Sequence, residues 1–182
     1  MTGAGVVDIK KALEEAGNDE QKAIEILRAK GLEKAAKKGG REAKEGLVAS
    51  YVHSNGRLAS LVKLYCETDF VARNQDFQSL AKDIAMHVAA MNPAVVRPED
   101  VSADEIEKQK EDWKKQLQAE GKPEKIWDTI IKGKEEKLRK EQALLTQPFI
   151  KDQERTVEDV IKEKVAVIGE NIQVGEFVRM EL

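Results

Sequence analysis

The sequence predicts an α+β fold, in which a small antiparallel three-stranded sheet packs with helices and an antiparallel helical hairpin projects from it. Three observations lead there. Residues 47–53 and 57–67 follow a period of two, are rich in β-branched and aromatic types, and flank Ser54-Asn55-Gly56. Asn-Gly between two such runs is a strong hairpin signal. From Asn74 onward the apolar residues switch to helical spacing. Residues 102–120 and 124–142 then carry dense charge with one sparse apolar seam each, joined by Gly121-Lys122-Pro123.

In chain order, residues 6–16 read as a helix with Val6, Ile9 and Leu13 on one face, stopped by Gly17. Asn18 or Asp19 can cap a second helix, which places Ala23, Ile24 and Leu27 on its apolar side and ends at Gly31. Two helices this short bury little on their own and are marginal in isolation. Residues 34–44 are basic and glycine-punctuated. Acids are interleaved there and no aromatic is present to stack on bases, so a solvated helix end and linker suits this stretch better than a nucleic-acid contact.

If Asn55 and Gly56 form the hairpin loop, Tyr51 faces Ser60, Ala49 faces Val62 and Leu47 faces Leu64. Leu47, Ala49, Tyr51, Leu58, Val62 and Leu64 then share the core face. A two-stranded hairpin needs a further strand. Residues 171–182 supply one, alternating Ile172 and Val174, then Val178, Met180 and Leu182, with a bulge at Gly175. The helix after Asn74 carries Phe77, Leu80, Ala81, Ile84, Val88 and Met91 on one stripe, with His87 at its edge, and Asn92-Pro93 ends it. Ser102 with Glu105 reads as a capping box for the first arm of the charged hairpin. Ile106, Trp113 and Leu117 face Ile126, Trp127, Ile130, Ile131 and Leu138, with the two tryptophans closing the pair. Residues 156–168 form a last helix, with Val157, Val160, Ile161, Val165 and Ile168 inward and Gly169 at its end.

Composition narrows the function classes. Hydrophobic residues make up 41% of the 182, enough for a core, but aromatics only 4%, so that core is aliphatic. Charged residues reach 36% and nearly cancel, to a net charge of −3, which argues against a dedicated nucleic-acid binder. The single cysteine, Cys66, excludes an intrachain disulfide and fits a reducing compartment. No apolar run approaches the roughly 20 residues that span a bilayer, and Asp8, Lys10 and Lys11 interrupt the first stretch as a signal sequence. A cytoplasmic protein is expected. There is no nucleophile elbow, no glycine-rich phosphate cradle and no metal-spaced His/Cys set, so neither bond-making catalysis nor a cofactor is expected.

The stretch Cys66-Glu67-Thr68-Asp69-Phe70-Val71-Ala72-Arg73-Asn74 is where strand hands over to helix. Asp69 can cap the helix after it by accepting from free first-turn N–H groups. Phe70 has two readings. It either tucks into the core, as isolated aromatics usually do, or projects as an anchor for a partner.

Thr68-Asp69-Phe70-Val71-Ala72 resembles the signature of the elongation factor Ts family, nucleotide exchange factors of elongation factor Tu. Thr2-Gly3-Ala4-Gly5, followed by Asp8 and Lys10-Lys11-Ala12-Leu13, is similar to that family's N-terminal motif. Ile84-Ala85-Met86-His87-Val88-Ala89-Ala90 and Gln147-Pro148-Phe149 also resemble family blocks, in the family's order.

The resemblance implies a domain plan. Residues 1–33 would be a helical module resembling a ubiquitin-associated three-helix bundle, whose first helix precedes the Thr-Gly-Ala-Gly turn and is expected to be missing here. Residues 34–45 would be a basic linker. Residues 46–182 would form a core dimerisation and exchange domain, with the helical hairpin 102–142 inserted as a protruding coiled coil. The resemblance also implies roles. Thr68, Asp69, Phe70 and Val71 would press into elongation factor Tu near its Mg²⁺ site, with Phe70 as the wedge. Met86, His87, Val6 and Val7 would add contacts, and the shorter form of the family implies a homodimer through the sheet or the C-terminal strand. Two other classes are weighed beside this one. An RNA- or ribosome-associated adaptor would act through residues 34–44, and a helical scaffold would use the 102–142 hairpin as its arm.

Overall fold

The structure, a computed structural model, describes residues 4–182, so the Thr2-Gly3 part of the N-terminal motif lies outside the described residues. In chain order it forms α1 (Val6–Glu15), α2 (Glu20–Ala36), β1 (Glu45–Val52), β2 (Leu58–Cys66), α3 (Asp69–Ala72) and α4 (Gln75–Met91). There follow α5 (Ala103–Ala119), α6 (Trp127–Gln142), β3 (Pro148–Phe149), β4 (Asp152–Thr156), α7 (Val157–Ile168) and β5 (Gln173–Glu181). These elements divide into two compact units, one of residues 4–90 with Glu158–Leu182, the other Met91–Val157.

In the first unit, β1, β2 and β5 form an antiparallel sheet in the order β1-β2-β5. Tyr51 faces Ser60, Ala49 faces Val62 and Leu47 faces Leu64, as the turn predicts. The turn itself is wider than a two-residue loop. The His53 N–H donates to the Leu58 carbonyl and the Gly56 N–H to the His53 carbonyl, both at 2.8 Å, so residues 54–57 form the loop. One extra residue on each side leaves the register unchanged. The predicted bulge is present, with Gly175 and Glu176 together opposite Lys63. A Cβ at Gly175 would collide with the Tyr65 ring, which explains the glycine.

The inner face buries Ala49, Ser60, Val62, Leu64, Cys66 and Val174. Helix α4 contributes Phe77, Leu80, Ala81, Ile84, Val88 and their alanine neighbours to the core. Polar bonds tie this helix to the sheet, as the Ser60 hydroxyl donates to the Ala85 carbonyl at 2.6 Å and Arg179 Nε to the Ala89 carbonyl at 2.9 Å. Met91, expected on the buried stripe, is instead exposed in the last turn. On α7, Val157, Ile161 and Val165 are buried, and Lys164 pairs with Asp76 of α4 at 2.9 Å.

Helices α1 and α2 meet through Ala12, Ala23 and Leu27, with Leu13, Ala16 and Ile26 half-buried around them. Only the C-terminal half of α1 makes this contact, so Val6 and Ile9, expected to share its inner face, are exposed. Asp19 caps α2, accepting from the Lys22 N–H at 3.1 Å. Gly31 does not end that helix, which runs on to Ala36 and passes close to Ala166 of α7 at the glycine. The basic stretch therefore begins inside a helix.

The second unit holds α5 and α6, paired antiparallel as Gln142 meets Glu105 and Glu135 meets Lys110. Ile106, Leu117 and Ile131 form the buried seam. The Lys134 ammonium lies 5.9 Å from the centre of the Trp113 ring, and the Trp127 indole donates to the Lys122 carbonyl at 2.9 Å, pinning the turn. The capping box does not form. Ser102 holds the N-cap position without a side-chain bond, and the Glu105 carboxylate accepts instead from Gln142 Nε2 at 2.5 Å. The sequence reading has no counterpart for the short β3–β4 hairpin; Phe149 of β3 and Gln147 just before it are buried, and the Gln147 carbonyl accepts from the Val157 N–H at 3.1 Å.

Candidate partner-contact loop

Strand β2 ends at Cys66, and the chain enters a single helical turn three residues later, at Asp69. Thr68, in extended conformation, is its cap, and its Oγ1 accepts from the Val71 N–H at 3.4 Å. Asp69 therefore does not cap. It occupies the first helical position, where its negative charge suits the N-terminal end, and its carboxylate pairs with Arg73 at 3.0 Å. A second cap follows at once, where Asn74 Oδ1 accepts from the Asp76 N–H at 2.7 Å.

The break between α3 and α4 decides the fate of Phe70. Residues seven apart on one continuous helix share a face, so an unbroken helix would put Phe70 over the buried Phe77. The non-helical step at residues 73–74 resets the phase. Phe77 goes into the core at 0% exposure and Phe70 stands out at 80%. The core reading of Phe70 is thus corrected, while Val71 beside it is half-buried.

The remaining sequence-derived residues divide. Val6 and Val7 lie on the first turn of α1, 83% and 67% exposed. Met86 is half-buried on α4. His87 is not at the edge of the stripe but fully enclosed, since α4 is covered on that side too. Direct contact between the imidazole and a partner is closed off in this conformation. Cys66 is buried beneath the loop, and burial foremost, with the nearby Glu170 charge, pushes its thiol up to about 11, so it is no thiolate at neutral pH.

Most charges of the basic stretch are matched within the fold. Lys34 pairs with Asp8 at 3.0 Å, Lys37 with Glu33 at 2.7 Å, Arg41 with Glu67 at 3.6 Å and Lys44 with Glu42 at 2.6 Å. Among the described residues no group of three or more His, Cys, Asp or Glu could hold a metal ion, and no helix is long and apolar enough to cross a membrane.

The sequence profile of the family described as Elongation factor TS matches residues 10–182. Elongation factor Ts of Desulforamulus reducens is 58% identical over 181 residues, which covers 100% of this chain and 83% of the relative. The Fervidobacterium nodosum protein of the same name is 56% identical, with 100% and 92% covered. That of Maridesulfovibrio salexigens is 52% identical, with 100% and 88% covered. The chain belongs to the elongation factor Ts family. It is thus a translation elongation factor, and its mixed helix-and-sheet architecture agrees with that of elongation factor Ts. The span matched to the elongation factor Ts profile holds the Thr68–Val71 turn, Met86 and His87, while Val6 and Val7 precede it.

Proposed function

We propose that this chain is a guanine nucleotide exchange factor for elongation factor Tu, a cytoplasmic protein that performs no bond chemistry of its own. The observation that carries the reading is Phe70, a large apolar ring 80% exposed on a helical turn capped at its start and cut off at its end. Isolated exposed apolar residues are common on surfaces, but this one is held outward by two successive caps.

A G protein grips its nucleotide through backbone N–H groups around the phosphates and through Mg²⁺. Loosening that grip requires shifting the elements that position those groups or the metal. Phe70 is the wedge, Thr68 and Val71 set its angle, and Asp69 presents a carboxylate beside it. Burying one phenylalanine is worth about 1.5–3 kcal/mol, which weakens nucleotide binding by roughly tenfold to a hundredfold. Larger acceleration draws on Val6, Val7 and Met86. His87 contributes through the packing of α4 rather than by touching the partner. By linkage, bound nucleotide weakens the binding of this factor to the same degree. The factor then speeds exchange in both directions.

The outward face of the sheet supports a homodimer. Leu61 and Val178 are directly opposite each other, Val52 and Met180 flank Ala59, and all four large residues are exposed. An apolar patch on the open face of a sheet suits a two-fold, self-complementary contact. Sedimentation should show a dimer that Leu61→Lys converts to monomer; an unchanged mass would remove the sheet from the interface.

Release of a fluorescent GDP from elongation factor Tu tests the main reading. Wild-type protein should accelerate release and Phe70→Ala should lose tenfold or more. Equal acceleration by both would leave exchange standing and refute the wedge; no acceleration by either would refute exchange.

A further inference from the structure

We propose that Glu170 is a positioning residue for exchange, holding the Phe70 turn in its projecting geometry; this rests on the exchange reading above. Glu170 lies in the turn between α7 and β5, 102 residues from Thr68 in sequence. Its carboxylate receives three hydrogen bonds from the base of the turn. The Glu67 N–H donates to Oε2 at 3.1 Å, the Thr68 N–H donates to the same oxygen at 3.0 Å, and the Thr68 hydroxyl donates to Oε1 at 2.7 Å. Hydrogen bonds to an ionised acceptor are roughly twice as strong as neutral ones.

The third bond has a further effect. A hydroxyl has one proton and two lone pairs. With its proton committed to Glu170, Thr68 Oγ1 turns a lone pair toward the Val71 N–H, which is the cap that starts α3. Glu170 therefore sets both where the turn begins and which way its cap faces.

The arrangement is reciprocal. The Asn171 N–H donates to the Glu67 carboxylate at 2.6 Å, so each segment places a carboxylate on the other's backbone. These bonds begin where the backbone ladder stops, at Glu67 and Asn171, two residues past the Tyr65–Gln173 pair. They extend the sheet by side chains and leave the turn beyond them free to project. Glu170 engages Thr68 at the start of the turn and not the Phe70 ring itself, so it acts on the ring through the turn.

The test uses the full chain with Glu170→Ala and the isosteric Glu170→Gln, each compared in wild-type and Phe70→Ala backgrounds. Glu170→Ala should lower the acceleration of GDP release at least tenfold, and Glu170→Gln should recover part of it. Neither should cost more than twofold once Phe70 is alanine, because no wedge is left to position. A merely destabilising change would cost the same in both backgrounds, and that outcome overturns the inference while leaving exchange intact. Amide hydrogen exchange on the free protein gives an independent readout. Protection at Thr68 and Val71 should fall at least tenfold in Glu170→Ala while Val62 and Leu64 hold theirs; retained protection at the turn refutes the positioning role. Failure of the wild type to speed release would refute the exchange reading instead, with the amide data still deciding whether Glu170 holds the turn.

Discussion

Phe70 and Phe77 are the same residue seven positions apart, yet one is 80% exposed and the other 0%. Composition cannot separate them, and neither can helical spacing, which would stack them. Two short polar side chains do. Thr68 starts one turn, Asn74 starts the next helix, and the phase slips between them. The lesson is that a capping residue can decide which of two equivalent apolar residues enters the core and which stays on the surface.

The most drastic way to break the pair is Phe77→Ala. It should cost about 3–5 kcal/mol of stability by urea denaturation, as for other large core truncations. Phe70→Ala should stay within about 0.5 kcal/mol, the usual range for surface changes, while abolishing most exchange activity. Equal stability losses would mean that Phe70 is packed in solution. Loss of either cap sharpens the comparison further. Thr68→Ala and Asn74→Ala should each cost about 0.5–2 kcal/mol, and Asn74→Ala should also reduce exchange by letting α3 run toward α4. Unchanged exchange in that variant would show that phase slip is not what presents Phe70.

The smallest effect is in pH, and it separates the aromatic pair from the charged hairpin. Hydrogen bonds from Lys110 and Arg139 hold the Glu135 carboxyl below its usual range. A depressed folded value means that its stabilisation is present above the ordinary carboxylate range and fades as pH falls through the folded one. The thermal midpoint of Glu135→Gln should lie slightly below wild type at neutral pH and converge with it in acid. A gap that persists in acid would assign the effect to packing. The Phe77 cost should not vary with pH over the same range.

These contrasts mark what was legible in the sequence. The hairpin register was readable because Asn55-Gly56 centres the turn, and adding a residue on each side does not alter which residues face each other. The bulge was readable from one glycine in an alternating strand. The exposure of Phe70 was not, because hydrophobic periodicity carries no information about where a helix is interrupted. His87 was placed one step too far out, since a single stripe underestimates a helix covered more widely. Glu105 fits the local capping pattern yet bonds to Gln142, a preference that only the tertiary pairing of α5 and α6 creates. Glu170 has no local signature at all, being one acid after a helix-ending glycine, and its role arises from a neighbour 102 residues away.

That separation bears on how the protein is made. The central strand β2 receives β5 only after the intervening helices have been synthesised, and non-local pairings of this kind form late. Until then a nascent chain carries the β1–β2 hairpin with the far edge of β2 unpaired, and neither the Thr68 hydroxyl nor its backbone has its carboxylate partner. The Thr68 turn thus gains its carboxylate partner only once a residue 102 positions further along the chain has been made. A copy that stops short of Glu170 lacks the carboxylate that holds the Thr68 hydroxyl, so the turn that carries Phe70 forms without its long-range support.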